Sequence, residues 1–143
     1  MSFAPMLCHA VALVTAIGLV TTATARNIEV VVTGLSSDSG VVGCGLHNDP
    51  AGFPGGKAVA EQSVPPKGGQ AVCLFEDVTP GRYAVAVLHD VNANGRLDTN
   101  PLGIPKEAWG VSGNARPLLR APRFDEAAFD LGDTPVRVPI EAR

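Results

Sequence analysis

The sequence predicts an all-β protein, a single antiparallel β-sandwich of about seven strands with two long loops. Three observations carry that expectation. Short Val-rich runs recur between clusters of Gly, Pro, Asn and Asp. Within the runs, successive residues alternate between two faces, with apolar side chains on at least one of them. Helical periodicity is almost missing: only residues 123–130 place Phe124, Ala127 and Ala128 at helical spacing, and the adjoining Phe129 would suit a short strand equally well.

In chain order the expected strands are residues 27–33, Val41–His47, Ala71–Phe75, 82–89 and, near the end, 136–140. In the second, Val42, Cys44 and Leu46 share a face, and in the third Ala71, Cys73 and Phe75 do, which aims both cysteines at a common core. The fourth sets Tyr83, Val85, Val87 and His89 on one face and Ala84, Ala86, Leu88 and Asp90 on the other. Both faces are apolar enough for a central strand. Pro139 cannot donate a ladder hydrogen bond, so the last strand belongs at a sheet edge. Tyr83, in Pro80-Gly81-Arg82-Tyr83, reads as a strand-entry anchor with the logic of a tyrosine corner. The long loops are 48–67, rich in Gly and Pro and anchored by little beyond Phe53 and Val59, and 90–117, which carries Trp109.

The first 25 residues resemble an export signal. Residues 11–20 are almost wholly apolar, short for a bilayer span, and followed by the small-residue site Ala23-Thr24-Ala25, with cleavage expected after Ala25. No Lys or Arg precedes the apolar run, and an uncleaved anchor is the alternative. Residues 26–143 then form one domain of ordinary size, exported to the periplasm or beyond. All 11 basic and 14 acidic residues follow Ala25 with signs interspersed, and the formal charge of −3 argues against a nucleic-acid partner. Cys8 would leave with the signal. Cys44 and Cys73 would meet an oxidising compartment, where a disulfide between them is expected; two small buried thiols are the alternative.

The richest chemistry lies in His89-Asp90-Val91-Asn92-Ala93-Asn94-Gly95-Arg96-Leu97-Asp98. An EF-hand-type calcium loop takes side-chain ligands at its first, third, fifth and ninth positions, a carbonyl at its seventh, and Gly at its sixth. Asp90, Asn92, Asn94, Asp98, the Arg96 carbonyl and Gly95 occupy those places. The twelfth position, where a bidentate Glu is expected, is Pro101, so Asn100 or Glu107 would have to complete the shell. With neutral amides among the ligands, affinity for Ca²⁺ would be that of an extracellular module, sub-millimolar to millimolar. The competing account is an ion-free turn in which Asp and Asn side chains accept local backbone amides.

That run, followed by Gly103-Ile104-Pro105-Lys106-Glu107 and Trp109-Gly110-Val111-Ser112-Gly113-Asn114-Ala115, and preceded by Pro80-Gly81-Arg82-Tyr83-Ala84, resembles the signature of the bacterial domain of unknown function 2141 family. The resemblance spans nearly all of residues 26–143. It implies an exported protein with a prealbumin-like or carboxypeptidase-regulatory-like β-sandwich, and no particular activity. The hydroxyisourate-hydrolysing branch of transthyretin-like sandwiches ends in Tyr-Arg-Gly-Ser, whereas this chain ends Val138-Pro139-Ile140-Glu141-Ala142-Arg143, so that activity is not carried over.

Other candidates are weaker. His89 beside Asp90 suggests a general base with its orienting carboxylate, but neighbours on a strand point to opposite faces. The expected role for His89 is to donate to a backbone carbonyl. A His47–His89 transition-metal pair lacks a third ligand. Ser112 has no nucleophile-elbow context and reads as a loop or capping hydroxyl. Trp109 reads as a core cover before it reads as a platform for a sugar or peptide. The expectation is therefore a monomeric or weakly associating module that binds an envelope component, peptide or glycan, with no catalytic residue assigned; a periplasmic hydrolase using His89 with Asp90 or Glu107 is the alternative.

Overall fold

A computed structural model describes residues 26–143, so the expected signal segment lies outside the described residues. Among the described residues, eight strands form two sheets: β1 (Ile28–Thr33), β2 (Val41–His47), β3 (Ala60–Val64), β4 (Ala71–Phe75), β5 (Gly81–Asp90), β6 (Trp109–Val111), β7 (Phe129–Leu131) and β8 (Val136–Glu141). One helical turn, α1 (Phe124–Ala127), and a 3-10 turn (Ser112–Asn114) complete the elements. The smaller sheet runs β4-β1-β8; the larger runs β3-β2-β5-β6, with β7 also paired to β5. The architecture is the expected all-β sandwich, with eight strands where about seven were anticipated.

All strand pairs are antiparallel except β1 with β8, which run parallel in the register Val30↔Val138 and Val32↔Ile140. Pro139 lies opposite Val31 on an edge strand, where its missing N–H costs no ladder bond. The three additional strands lie in segments with weak strand signals. Ala60–Val64 is polar and falls inside the Gly/Pro-rich loop, and β6 and β7 have three residues each. The helix expected over 123–130 is confined to α1, because Phe129 enters β7 and pairs with Tyr83.

Between the sheets, Ile28, Val30 and Val32 of β1 meet Val42, Cys44 and Leu46 of β2, Tyr83, Val85 and Val87 of β5, and Val138 and Ile140 of β8. Cys44 and Cys73 form a disulfide with Cα atoms 6.6 Å apart, and since β2 and β4 belong to different sheets the bond joins the two layers. Tyr83 donates its hydroxyl to the Thr79 carbonyl at 2.8 Å, the expected corner anchor. A second cluster covers the other face of β5: Ala84, Val111, Phe124 and Ala127, flanked by Phe53 and Trp109. Both faces of β5 are thus buried, as its composition predicts.

Candidate functional site

The loop that follows β5 is a closed polar network. Asp90, buried at the end of the strand, accepts the Asn94 amide on Oδ1 at 3.0 Å and the Gly95 amide on Oδ2 at 2.6 Å. Asn92 Oδ1 accepts the Asn94 amide at 3.1 Å, and Asn94 Oδ1 accepts the Arg96 amide at 3.0 Å, an Asx turn at each alternate residue. Ala93 and Gly95 both have positive φ, 56° and 79°, which this tight winding needs.

The opposite ends of these amides converge on Asp98. Asn94 Nδ2 donates to Asp98 Oδ1 at 2.9 Å and Asn92 Nδ2 to Oδ2 at 2.7 Å. These two donors, Asn94 first and Asn92 second, hold the Asp98 carboxyl below its ordinary range, with Arg96 and Lys106 adding a smaller pull. Asp90, Asn92, Asn94 and Asp98 therefore come together as the spacing predicts. Arg96 joins them through its backbone amide, which bonds Asn94.

Of the two residues considered for completing the shell, Glu107 belongs to the network and Asn100 serves a turn of its own. Glu107 is buried, and its Oε1 accepts the Val91 amide while its Oε2 accepts the Asp98 amide, both at 3.0 Å. Asn100 Oδ1 accepts the Leu102 and Ile104 amides at 2.9 and 3.0 Å. Sequence spacing could not show that Glu107 bridges both ends of the loop, because its partners are backbone groups brought together by folding. Among the described residues, no three His, Cys, Asp or Glu side chains are grouped so as to hold a metal ion, so a cation here would also draw on amide and carbonyl oxygens.

His89 is fully buried, and its Nε2 lies 2.9 Å from the Ser39 carbonyl. A carbonyl only accepts, so Nε2 carries the proton, and among the described residues Nδ1 has no hydrogen-bond partner. The imidazole hydrogen-bonds neither Asp90 nor Glu107, whose carboxylates are taken by loop amides. His47 closes β2 with its ring edge-on to Phe53, centroids 5.3 Å apart, and burial pushes its pKa down.

Ser112, expected to be a loop or capping hydroxyl, is buried between elements: its Oγ accepts the Val85 amide at 2.9 Å and donates to the Ala127 carbonyl at 2.5 Å. Trp109 packs against the second core cluster, and the Arg116 guanidinium lies 4.4 Å from its ring centroid. Arg116 also donates to the Trp109 carbonyl at 2.6 Å.

A profile for the family described as "Uncharacterized protein conserved in bacteria (DUF2141)" matches residues 30–139, a span running from β1 into β8 and including the whole polar loop. The chain belongs to the DUF2141 family. The match takes in both cysteines, every residue of the 90–98 network and Glu107. No curated protein and no solved structure matches this DUF2141 chain.

Proposed function

We propose that this DUF2141 protein is an exported binding or structural module of the bacterial envelope, with a Ca²⁺-responsive loop at residues 90–98 and no enzymatic activity. The observation that carries the proposal is the environment of Asp98. Each of its carboxylate oxygens is partnered by the positive end of an Asn amide, which is the place a hard cation would take.

Rotation of the Asn92 and Asn94 amides would turn their oxygens toward that point, alongside Asp98, Asp90 and the Arg96 carbonyl. The rotation gives up the two Asx-turn bonds at Asn94 and Arg96, which supports weak binding of the extracellular kind. Such an ion would stiffen the loop and fix what it presents to a peptide, glycan or envelope partner. The two-layer arrangement is in keeping with a prealbumin-like sandwich. The hydrolase alternative has less support, since His89 is buried and bonded to Ser39 on the other side of the strand from Asp90.

Calorimetric titration with Ca²⁺, paired with melts in chelator and in excess Ca²⁺, tests the proposal. Heat and a raised melting temperature, both abolished in Asp98→Ala and Asp90→Ala, are the expected result. No response at millimolar Ca²⁺ would identify the loop as an Asx-stabilised turn.

A further inference from the structure

Between the 3-10 turn and α1 the chain makes a short excursion, Ala115-Arg116-Pro117-Leu118-Leu119-Arg120-Ala121-Pro122-Arg123, whose two feet are fixed and whose middle is exposed. At the first foot Pro117 is half-buried, and Arg116 lies over the Trp109 ring and donates to the Trp109 and Arg143 carbonyls. At the second foot Pro122 is buried, and Phe124 enters the second core cluster. The two prolines, each with a fixed φ, stiffen the span between them. Leu118 and Leu119, at its crest, are 97% and 99% exposed, more than any other large apolar side chain among the described residues.

The charge around this crest has one sign. From Ala108 to Phe124 the sequence holds three arginines and no Asp or Glu. The carboxylates that follow it or lie beside it already have partners: Asp125 pairs with Arg82, Glu126 with Arg120 and Glu141 with Arg143. Among the described residues neither Arg116 nor Arg123 forms an ion pair, and both are exposed. Two unmatched positive charges therefore bracket two bare leucines. Leu102 is exposed too, at 83%, but the charges that flank it, Asp98 and Lys106, are of opposite sign.

We propose that this crest docks on an anionic lipid surface, with Leu118 and Leu119 entering the acyl boundary and Arg116 and Arg123 lying at the level of the phosphates. A protein partner would need a pocket shaped to a convex tip, whereas a bilayer takes apolar side chains without shape complementarity. The two cations meet lipid phosphates there, and an excess of positive charge beside an apolar tip is what an anionic leaflet attracts. The formal charge of −3 on the whole chain turns the remaining surface away from the same lipid, so the local field also sets the orientation. Two leucines and two cations give reversible attachment rather than a permanent anchor. The inference rests on the envelope location proposed above and does not require Ca²⁺ at residues 90–98.

Flotation of the exported form with vesicles of phosphatidylglycerol and phosphatidylethanolamine, compared with vesicles of phosphatidylcholine alone, tests the docking. The protein should float with the anionic vesicles only. The double variant Leu118→Ser/Leu119→Ser should bind at least roughly tenfold more weakly and Arg123→Gln several-fold more weakly, with melting temperatures unchanged because these side chains are exposed. Leu102→Ser should bind as the parent does. In Leu119→Trp the emission should shift to the blue on anionic vesicles beyond any change in the parent, which locates the crest in the lipid without relying on lost binding. No flotation with the anionic vesicles, equal flotation with both kinds, or binding indifferent to the double variant would each overturn the proposal. Concentration-dependent dimers that the double variant abolishes, without flotation, would overturn it in favour of a second copy. Chelator is present throughout, so a failure here and a failed Ca²⁺ titration are distinct results.

Discussion

Glu107 holds the amide of Asp98 from nine residues away, 3.0 Å from Oε2, while its other oxygen holds Val91 at the far end of the same loop. One buried carboxylate therefore sets the separation of the loop's two arms. Replacing Glu107 by Ala leaves two amides seeking partners, and we predict a loss of about 2 kcal/mol in chemical denaturation. Glu107→Gln keeps one acceptor and should lose less. Equal stability of both variants and the parent would show that the loop closes without this side chain.

Gly40 has a φ of 72° and packs on the start of the polar loop; a β-carbon there would stand 2.6 Å from the Val91 α-carbon and closer still to the Asp90 carbonyl oxygen. Gly40→Ala combines a left-handed strain with a backbone overlap, for a predicted cost of about 3 kcal/mol. It should also weaken any Ca²⁺ response, since Asp90 must shift. A melt within one degree of the parent would contradict the packing.

Arg120 forks onto Glu126, with nitrogen–oxygen distances of 2.6 and 2.8 Å, and the Arg123 amide adds a third donor. These partners hold the Glu126 carboxyl down to about 2 from an ordinary 4.5. A depressed carboxylate stabilises the folded state above its unfolded pKa, and that contribution fades as pH falls from about 4.5 through about 2. Solvent exposure keeps the effect small. Carboxyl NMR titration should place the Glu126 midpoint near 2 and move it upward in Arg120→Ala; an unmoved midpoint would exclude the fork as the cause.

Breaking the disulfide should cost about as much as Gly40→Ala. Cys44 and Cys73 are 29 residues apart, and chain-entropy reasoning assigns such a loop about 3 kcal/mol. Cys44→Ala is predicted to lower the melting temperature under oxidising conditions and to remove its dependence on reductant. Identical melts for oxidised parent and variant would refute the contribution.

Strands with strong alternation were legible from the sequence: Val41–His47 and Ala71–Phe75 appear with the expected bounds, and the face shared by Cys44 and by Cys73 foretold their meeting. Strand β3 was not, because Ala-Glu-Gln-Ser-Val has little intrinsic preference and is held as a strand by its register with β2. The parallel pairing of β1 with β8 depends on a contact more than a hundred residues distant, which local pattern cannot encode. At the candidate site, the alternate-residue spacing foretold the Asp90–Asn92–Asn94–Asp98 cluster. It could not foretell which ends of the Asn amides face Asp98, because a side-chain amide presents a donor and an acceptor on the same frame.

The covalent tie between β2 and β4 also fixes how the molecule would respond to being pulled. Tension applied along the chain would pass through the sulfur–sulfur link and bypass the 29-residue separation it spans, so β3 and its flanking turns would bear no load. Stretched from its ends, the oxidised protein should pay out about 100 Å less thread than the reduced one, at 3.3–3.6 Å for each bypassed residue.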